Sequence, residues 1–449
     1  MDNNKTTYFI GIGGIGMSAI ARYYMQLGYT ICGYDSTETD LTKQLIAEGI
    51  SITYDDDPCN LPQNIEMAIY TPAIPEGNSI LCTVRNKNIP LYKRSQILGE
   101  ISRKYRTIAV AGTHGKTTIS GIITHLLHNS AVGCDALLGG MIKGIDTNCL
   151  IEQSNNQYLV TEADEYGYSF LQLNPFYSVI TAVDEDHLDI YGTRDNLIKA
   201  FEDFASKTHN EGCLLIKSSL NIETATENTE TYSLTDVGAD YYAWNIRIYG
   251  GKYYFDFHTP QKVLFDICLS YPGLHNIENA IAAMAVALKC GVTEEELRVA
   301  IASFEGMKRR FDVRVNNENT IYIDDYAHHP EEIKTTINSI RHLYPDKRIS
   351  GIFQPHLYSR TRDLKEQFVE ALELLDDVIL LDIYPAREKP IAGVDSGILF
   401  HQINKMNKYY VSKQQLLELI PALHPEILLT IGAGDIDKLV KPIEEILKN

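Results

Sequence analysis

A glycine-rich turn carries the residues best suited to phosphate chemistry. It reads Gly112, Thr113, His114, Gly115, Lys116, Thr117, Thr118 and follows an apolar stretch. Glycine lets backbone N–H groups approach a triphosphate, Lys116 supplies a cation for its β- and γ-phosphates, and Thr117 or Thr118 supplies a hydroxyl for Mg²⁺. Because Val110 stands where the full P-loop pattern begins with glycine, an ordinary corner with a chance Gly-Lys-Thr is the alternative. We predict a nucleoside triphosphate site at this turn.

Two clusters of acidic residues follow apolar, strand-like stretches. The first contains Glu162, Asp164 and Glu165, and the second contains Asp184, Glu185, Asp186, His187 and Asp189. Like charges at strand ends repel unless a cation gathers them, and carboxylate oxygens are ligands that Mg²⁺ prefers. For any single acid, a solvated strand end is the alternative. Beside a phosphate loop, the two clusters together predict a Mg²⁺ site, with His187 as a further ligand or a phosphate contact.

A second glycine-rich loop lies near the N-terminus. Gly11, Gly13 and Gly16 satisfy the G-x-G-x-x-G spacing after the strand-like stretch 8–10. Asp35 follows about twenty residues further on, where an acid binds a ribose hydroxyl, and the glycines suit a pyrophosphate at a helix N-terminus. NAD, a UDP-sugar and a purely structural turn all remain open at this point.

Histidine, tyrosine and arginine side chains cluster in the last third of the chain. They are Asp325, Tyr326, His328 and His329 after one apolar stretch, and Arg360 and Arg362 after another. Two arginines suit a carboxylate or phosphate because the guanidinium fork matches planar oxyanions. Arg309 and Arg310 are placed to reach a phosphate when the domains close. For each arginine singly, a surface position is the alternative.

These groups need elements that bring them to the edges of sheets. Strand–turn–helix units are predicted at 8–27, 107–127 and 320–343, and their repetition indicates α/β sheets with ligands at the carboxyl ends of parallel strands. Alternating residues over 241–269 predict an antiparallel β insertion, and 93–104 predict a bridging helix. We divide the chain into domains 1–105, 106–312 and 313–449.

Composition and charge exclude several classes of protein. The chain has 449 residues and a net charge of −19, which makes it a poor non-specific binder of nucleic acid. Its eight cysteines form no C-x-x-C pair and are typical of reduced, buried thiols. Because there is no signal sequence and no apolar run near the roughly 18 residues of a membrane span, we expect a cytoplasmic protein without membrane insertion. Monomer and homodimer both remain open.

Seven spaced motifs together resemble one family, the Mur ligases of peptidoglycan synthesis. They occupy 112–118, 162–165, 186–187, 274–280, 309–311, 324–330 and 354–356. With the N-terminal glycine loop, the resemblance extends in order from Gly11 to about residue 396. It implies three α/β domains: a Rossmann-like N-terminal domain for UDP, a central P-loop-type ATPase with the β insertion, and a Rossmann-like C-terminal domain that closes over the site.

The resemblance also implies a reaction. ATP would phosphorylate the carboxylate of UDP-N-acetylmuramate, and the amine of L-alanine would then displace phosphate to form an amide. ADP and phosphate would leave, and Mg²⁺ would accompany ATP. The N-terminal glycines are thereby reassigned from NAD to a UDP-sugar.

Residue roles carry over from the family's motifs position by position. ATP contacts are implied for Gly112, Thr113, His114, Gly115, Lys116, Thr117, Thr118, His275, Asn276, Asn279 and Arg310. UDP-sugar contacts are implied for Gly13, Gly14, Ile15, Gly16, Met17, Ser18, Asp35 and Thr71. The implied Mg²⁺ ligands are Thr117, Glu162 and His187, and the implied amino-acid contacts are Tyr326, His328, Arg360 and Arg362. The implied catalytic residues are Lys116, His187, Arg310 and His328.

The chain departs from the family pattern at four positions. Gly167 and Tyr168 stand where acidic or small residues are common, Ala327 replaces a frequent glycine, and Leu357 replaces a frequent arginine. These positions bear on contacts with the muramate lactyl group and the amino acid, and leave the ATP residues untouched.

Three other interpretations remain. A recycling ligase would join a whole tripeptide to UDP-N-acetylmuramate by the same chemistry. An NAD-dependent oxidoreductase would use the N-terminal glycine loop and leave the 112–118 turn unexplained. A nucleotide-binding regulator would bind ATP without turnover.

Overall fold

The computed structural model describes residues 6–152, 156–184, 188–386 and 388–448. The chain forms two compact units. The first comprises Met1–Ile246, Phe255–Cys268 and Glu278–Phe304, and the second comprises Arg247–Tyr254, Leu269–Ile277 and Glu305–Asn449. Within the described residues, the strands form sheets of five, ten and six strands.

A parallel sheet opens the chain. Its elements are β1 (Thr6–Ile10), α1 (Ile15–Gln26), β2 (Thr30–Tyr34), α2 (Asp40–Ala47), β3 (Ser51–Thr53), a 3₁₀ turn (Pro58–Asn60), β4 (Ile65–Tyr70), α3 (Ser79–Asn86), β5 (Leu91–Lys93) and α4 (Arg94–Ser102). The strand order is β3-β2-β1-β4-β5 with parallel pairing throughout. β1 is buried at every position, as expected for the central strand of a parallel sheet covered on both faces. β2 and β3 lie on one side of β1, whereas β4 and β5 lie on the other, so the N-terminal glycine loop after β1 is at a switch point where ligands bind.

The second sheet carries the phosphate loop. Its elements and the helices that follow are β6 (Arg106–Ala111), α5 (Lys116–His128), β7 (Asp135–Leu137), β8 (Cys149–Leu150), β9 (Tyr158–Ala163), a 3₁₀ segment (Tyr166–Gln172), β10 (Pro175–Ile180), α6 (Leu188–Tyr191), α7 (Arg194–Ala205), β11 (Cys213–Lys217), β12 (Thr229–Ser233), β13 (Tyr241–Tyr249), β14 (Lys252–His258), β15 (Val263–Leu269), α8 (Leu274–Lys289) and α9 (Glu294–Ser303). The order is β15-β14-β13-β12-β11-β10-β6-β9-β7-β8. Since β6 lies between β10 and β9 and is parallel to both, the ends of all three strands meet at one edge.

The predicted β insertion coincides with β13, β14 and β15, which are neighbours in this sheet. β13 and β14 are joined by only Gly250 and Gly251, with φ of 58° and 75°. Two left-handed residues form the tight hairpin turn that links antiparallel strands. The glycines therefore set the direction of the insertion.

The third sheet is mixed. Its elements are β16 (Asp312–Asn316), β17 (Ile321–Asp325), α10 (Pro330–Leu343), β18 (Ile349–Phe353), α11 (Tyr358–Asp363), α12 (Lys365–Leu372), β19 (Asp377–Leu380), α13 (Gly397–Phe400), β20 (Lys408–Tyr410), α14 (Lys413–Leu423), β21 (Ile427–Ile431) and α15 (Asp437–Lys448). The order is β16-β17-β21-β18-β19-β20, and only β16 pairs antiparallel among the described pairings. α10 begins at Pro330, where His329 and Glu332 form a capping box.

The predicted bridging helix is α4, which begins at Arg94 directly after β5. In the described part of the chain, no helix is both long enough and apolar enough to cross a membrane.

Candidate active site

The phosphate loop connects β6 to α5 and is shaped by two glycines. Gly112 has φ of 137° and Gly115 has φ of 82°, backbone conformations that residues other than glycine rarely adopt. A Cβ at Gly112 would also lie 2.0 Å from the Thr181 hydroxyl. The Thr181 hydroxyl in turn donates to the His114 carbonyl and fixes the turn. The loop therefore presents backbone where a side chain has no room.

Lys116 is held by a buried carboxylate. Its Nζ lies 2.9 Å from Glu165, which is 2% exposed, and also donates to the Gly112 carbonyl. Burial alone would lower the pKa of Lys116, but the charge and hydrogen bond of Glu165, together with the charges of Asp164 and Glu162, outweigh it and the pKa is raised. Lys116 therefore stays protonated and presents a fixed cation at the start of α5.

Glu162 sits between the phosphate loop and the loop after β7. Its Oε2 accepts a hydrogen bond from Thr117 Oγ1 at 2.9 Å, and its Oε1 accepts one from the Gly139 N–H at 2.8 Å. A Cβ at Gly139 would lie 2.7 Å from both carboxylate oxygens, so only glycine allows this approach. Of the two candidate hydroxyls, Thr117 meets the acid, whereas Thr118 is buried on α5.

The second acidic cluster reaches the phosphate loop through Asp184. The Asp184 carboxylate lies 3.3 Å from His114 Nε2. The backbone N–H of Asp184 donates to Thr113 Oγ1 at 3.2 Å. Glu185, Asp186 and His187 lie outside the described residues, so the predicted role of His187 stays a prediction. Among the residues that the structure does describe, no three His, Cys, Asp or Glu side chains gather as a metal site.

α8 carries the three residues predicted to surround the adenine and ribose. In the first unit, Asn279 lies against the phosphate loop, with Oδ1 3.1 Å from where a Cβ of Gly115 would stand. In the second unit, Asn276 donates to the Pro272 carbonyl at 2.5 Å, and His275 Nδ1 lies 3.0 Å from Ser339 Oγ. Burial, reinforced by the charge of Arg310, lowers the pKa of His275 to about 4, so its ring is neutral at pH 7.

The N-terminal glycine loop is held from two sides. Asp35, just after β2, accepts a hydrogen bond from the Gly13 N–H at 2.7 Å. On the other side, the Thr71 methyl lies 2.6 Å from where a Cβ of Gly11 would stand. Gly14 is the N-cap residue of α1 and has no side chain that could accept a hydrogen bond from the first N–H groups of the helix. The first N–H groups of α1, at Ile15 and Gly16, therefore lie at the positive end of a helix with no acidic residue in its first turn.

Met17 and Ser18 point into the interior. Their side chains are 1% and 0% exposed. The Ser18 hydroxyl donates to the Ile15 carbonyl at 2.8 Å and accepts from Asn148 at 3.0 Å. The Ser18 hydroxyl is therefore held by Ile15 and Asn148. The Met17 side chain nevertheless lies beside the loop, since its Cγ is 3.7 Å from where a Cβ of Gly14 would stand.

The second unit gathers cationic and aromatic groups after β17. The guanidinium groups of Arg309 and Arg310 lie 5.1 and 4.9 Å from the centre of the Tyr326 ring. The Tyr326 N–H donates to the Arg309 carbonyl at 2.7 Å. Arg310 is also 3.8 Å from Glu332. Arg309, Arg310 and Tyr326 therefore form one group in the second unit.

His328 belongs to the same group and is neutral at pH 7. Its ring centre is 5.4 Å from that of Tyr326 and 6.0 Å from that of His356. Burial, reinforced by Arg360 and Arg310 and opposed by Glu332, lowers the pKa of His328 to about 4. Because Nδ1 lies 3.1 Å from the Tyr326 carbonyl, we assign the proton to Nδ1 and the lone pair to Nε2.

Asp325 ends β17 and organises the turn that follows. It accepts hydrogen bonds from the N–H groups of Phe311 at 3.0 Å and Ala327 at 2.8 Å, and from the Thr336 hydroxyl at 3.1 Å. Burial raises the pKa of Asp325 to about 6, against the opposing charge of Arg310. Ala327 stands where the family frequently has glycine, and the hydrogen bond to Asp325 is kept because the backbone N–H of Ala327 donates it.

Arg360 and Arg362 point in different directions. They lie two positions apart on α11, so their side chains diverge by about 200°. Arg362 is 52% exposed and binds Asp363 at 2.7 Å. The charge of Arg360 acts on His328. Of the two predicted arginines, Arg360 has a charge that reaches the histidine, whereas Arg362 is paired with Asp363.

The remaining departures from the family pattern have left-handed backbones. Gly167 and Tyr168 have φ of 59° and 58°, and the Tyr168 ring packs 4.8 Å from that of Tyr191. Leu357 has φ of 74°, and its N–H donates to the Tyr384 carbonyl at 3.0 Å.

Three family descriptions match the chain in sequence order. "Mur ligase family, catalytic domain" matches residues 6–106, "Mur ligase middle domain" matches 110–287, and "Mur ligase, glutamate ligase domain" matches 309–434. The chain belongs to the Mur ligase family. The predicted three-domain α/β fold is confirmed, as is the family resemblance of the motifs.

Individual relatives cover the whole Mur ligase chain. A UDP-N-acetylmuramate–L-alanine ligase of Parabacteroides distasonis is 45% identical over 457 residues, which cover 100% of this chain and 98% of the relative. The crystal structure of a UDP-N-acetylmuramate-alanine ligase from Thermotoga maritima matches with a TM-score of 0.85 and 27% identity, covering 99% of each chain. A murein peptide ligase from Psychrobacter arcticus matches with a TM-score of 0.71 and 19% identity over 98% of this chain and 99% of its own, which shows a shared fold alone.

This Mur ligase is an ATP-dependent enzyme that forms amide bonds. The oxidoreductase interpretation is not favoured, because the phosphate loop that it left unexplained lies in the matched middle domain.

Two residues of the site were not predicted from the sequence. Gly139 supports Glu162 from a loop 23 positions earlier. Arg94 lies at the start of α4, where its side chain binds Asp164 at 2.8 Å. The Gly-Gly pair after an apolar stretch was an available signal for Gly139, whereas nothing local distinguishes Arg94 from its basic neighbours.

Proposed function

We propose that this Mur ligase joins L-alanine to the carboxylate of UDP-N-acetylmuramate, with cleavage of ATP, in the synthesis of peptidoglycan precursors. The full-length identity to the Parabacteroides relative of that name supports this assignment. The observation that carries it in the structure is one turn that offers a fixed lysine ammonium beside the Thr117–Glu162 pair. Such a turn suits the charge and shape of a triphosphate.

The oxygens of Thr117 and Glu162 fit Mg²⁺. A hydroxyl and a carboxylate are hard ligands, and they already lie 2.9 Å apart at the start of α5. We assign these two residues to the metal, with His187 as a further ligand implied by the family resemblance. When bound, the ion neutralises phosphate charge and polarises the phosphoryl oxygens.

The first step of the proposed reaction phosphorylates the muramate. A carboxylate oxygen attacks the γ-phosphorus while the bond between that phosphorus and the ADP oxygen breaks. Lys116 and the N–H groups of the phosphate loop stabilise the charge on the phosphate oxygens. Glu165 keeps the lysine in place at the turn. The contacts of His275, Asn276 and Arg310 with the nucleotide stay predictions from the family resemblance.

The second step forms the amide. The alanine nitrogen attacks the acyl carbon, the bond between that carbon and the phosphate oxygen breaks, and the nitrogen loses a proton. His328 is neutral and keeps a lone pair on Nε2, so it suits a hydrogen bond from the amine. Arg360 offers a cation for the alanine carboxylate beside this histidine.

The domain boundaries that we propose are 1–105 for the UDP-sugar, 106–312 for ATP and 313–449 for the amino acid. We place the reaction in the cytoplasm, and a monomer or a homodimer are both compatible with it.

The proposal is tested by phosphate release from ATP with UDP-N-acetylmuramate and a panel of amines. L-alanine should support turnover, with L-serine and glycine measured beside it. Preference for a tripeptide would identify the recycling ligase instead, and ATP binding without turnover would identify a regulator. Lys116→Ala should be inactive while still folded, with a lower melting temperature because the buried Glu165 loses its counter-ion, and normal turnover in that variant would remove the phosphate loop from catalysis.

A further inference from the structure

Arg94 lies against the N-terminal glycine loop. It is the first residue of α4, and its side chain is 19% exposed. A Cβ at Gly16 would lie 3.0 Å from Arg94 Nη1 and 3.3 Å from its Cδ. The guanidinium therefore packs on the first turn of α1, the part of the loop whose N–H groups suit a diphosphate.

The counter-ion of Arg94 directly follows β9, as does the acid that holds Lys116 of the phosphate loop. Arg94 Nη2 binds Asp164 Oδ2 at 2.8 Å. The next residue, Glu165, binds Lys116 at 2.9 Å. Two consecutive acids thus each hold a cation, one from α4 beside the glycine loop and one from the phosphate loop.

The Arg94–Asp164 pair is more open to water than the Lys116–Glu165 pair. The Asp164 side chain is 42% exposed, whereas that of Glu165 is 2% exposed. Exposed ion pairs contribute little to stability, since water screens them. A phosphate or carboxylate at the glycine loop would offer Arg94 a bidentate partner and add the attraction of the α1 terminus. Lys116, by contrast, is fixed by a buried carboxylate.

We propose that Arg94 binds an anionic group of the sugar nucleotide, its diphosphate or its muramate carboxylate, in exchange for Asp164. This inference rests on the proposed function, since that function supplies the sugar nucleotide. The geometry assigns Arg94 to substrate binding and Asp164 to holding the guanidinium until the substrate arrives.

An exchange predicts opposite effects for the two partners. Arg94→Gln loses the substrate contact, whereas Asp164→Asn frees Arg94 from its competitor. Loss of a hydrogen-bonded charge should raise the dissociation constant of the ligand by about 10- to 100-fold in Arg94→Gln. In Asp164→Asn the dissociation constant should stay the same or fall. A pair with only a structural role would give both variants the same weakening.

The experiment measures binding of UDP, UDP-N-acetylmuramate and ADP by calorimetry to the full chain and to each variant. Arg298→Gln, which removes a half-buried arginine paired with Glu294, is the matched control. Weaker binding of both UDP and UDP-N-acetylmuramate to Arg94→Gln supports a diphosphate contact, and weaker binding of UDP-N-acetylmuramate alone supports a carboxylate contact. ADP binding should not change in either case. Should Arg94→Gln melt at a much lower temperature, Arg94→Lys keeps the charge without the fork and takes its place.

Unchanged binding of both uridine ligands to Arg94→Gln overturns the inference, and so does equal weakening in Arg94→Gln and Asp164→Asn. Wild-type protein that binds UDP-N-acetylmuramate but releases no phosphate with L-alanine contradicts the proposed function and leaves the Arg94 result readable. Wild-type turnover with normal binding in Arg94→Gln contradicts only the inference.

Discussion

Gly139→Ala should move Glu162 away from Thr117 without harming the fold. The Gly139 backbone has no positive φ, so alanine can adopt it. Its Cβ would nevertheless lie 2.7 Å from both Glu162 oxygens, where ordinary contact begins at 3.4 Å. The carboxylate must therefore retreat by about 0.7 Å, and its 2.8 Å hydrogen bond from the Gly139 N–H is strained or lost.

Such a shift is large for a metal ligand. Misplacement by about 1 Å costs on the order of 100-fold in rate, and loss of a supporting contact costs about 10- to 100-fold in metal affinity or activity. We therefore expect Gly139→Ala to lower turnover by about 10- to 100-fold, or about 1.4 to 2.8 kcal/mol in activation free energy. It should also need more Mg²⁺ for half-maximal rate.

The assay is phosphate release at saturating substrates over a range of Mg²⁺ concentrations. Gly77→Ala is the matched control, because a Cβ there meets nothing within 4 Å. Thermal melting should place both variants within a few degrees of the wild type. A Gly139→Ala enzyme with the wild-type Mg²⁺ dependence would refute the assignment of Glu162 to the metal, and an equal loss in Gly77→Ala would refute the steric explanation.

Three further predictions follow from individual contacts. Glu165→Gln removes the counter-ion of Lys116, so turnover should fall by about 10- to 100-fold in a steady-state assay; wild-type kinetics would mean that the lysine needs no anchor. Arg360→Gln should raise the KM for L-alanine by about tenfold and Arg362→Gln should not, since the charge of Arg360 reaches His328 whereas Arg362 is paired with Asp363; the reverse pattern would contradict these roles. His275 titrates near pH 4 in the folded protein against an ordinary value of 6.5, so between these pH values the unfolded state binds more protons and stability falls as pH falls. Urea unfolding at pH 7 and pH 5 should therefore show a smaller acid loss in His275→Gln than in the wild type, by on the order of 2 kcal/mol, with Asp325 acting in the opposite direction in both proteins; equal losses would remove His275 as the cause.

Local chemistry in the sequence was sufficient for the elements that carry the site. The predicted start of the last strand–turn–helix unit at Pro330 agrees with α10, because proline and the acids after it favour a first helical turn. The predicted insertion at 241–269 coincides with β13 to β15, because alternation is a property of the strands themselves. Glycine spacing likewise located the two glycine-rich turns, which follow β1 and β6.

Contacts set by strand order were not predictable from the sequence. Gly139 reaches Glu162 because β7 pairs with β9, and Arg94 reaches Asp164 across 70 positions of the chain. Arg360 and Arg362 were predicted together as suited to a carboxylate or phosphate, whereas they lie two positions apart on the short helix α11 and point in different directions. Nothing in the composition of that segment indicates a helix of only six residues.

The most direct test of carboxylate activation is the fate of the carboxylate oxygens. UDP-N-acetylmuramate labelled with oxygen-18 at both carboxylate positions is turned over with ATP and L-alanine, and the products are examined by mass spectrometry. An acyl phosphate intermediate predicts that one labelled oxygen leaves in the inorganic phosphate and one stays in the amide. Unlabelled phosphate, formed while the amide is made, would contradict phosphorylation of the carboxylate.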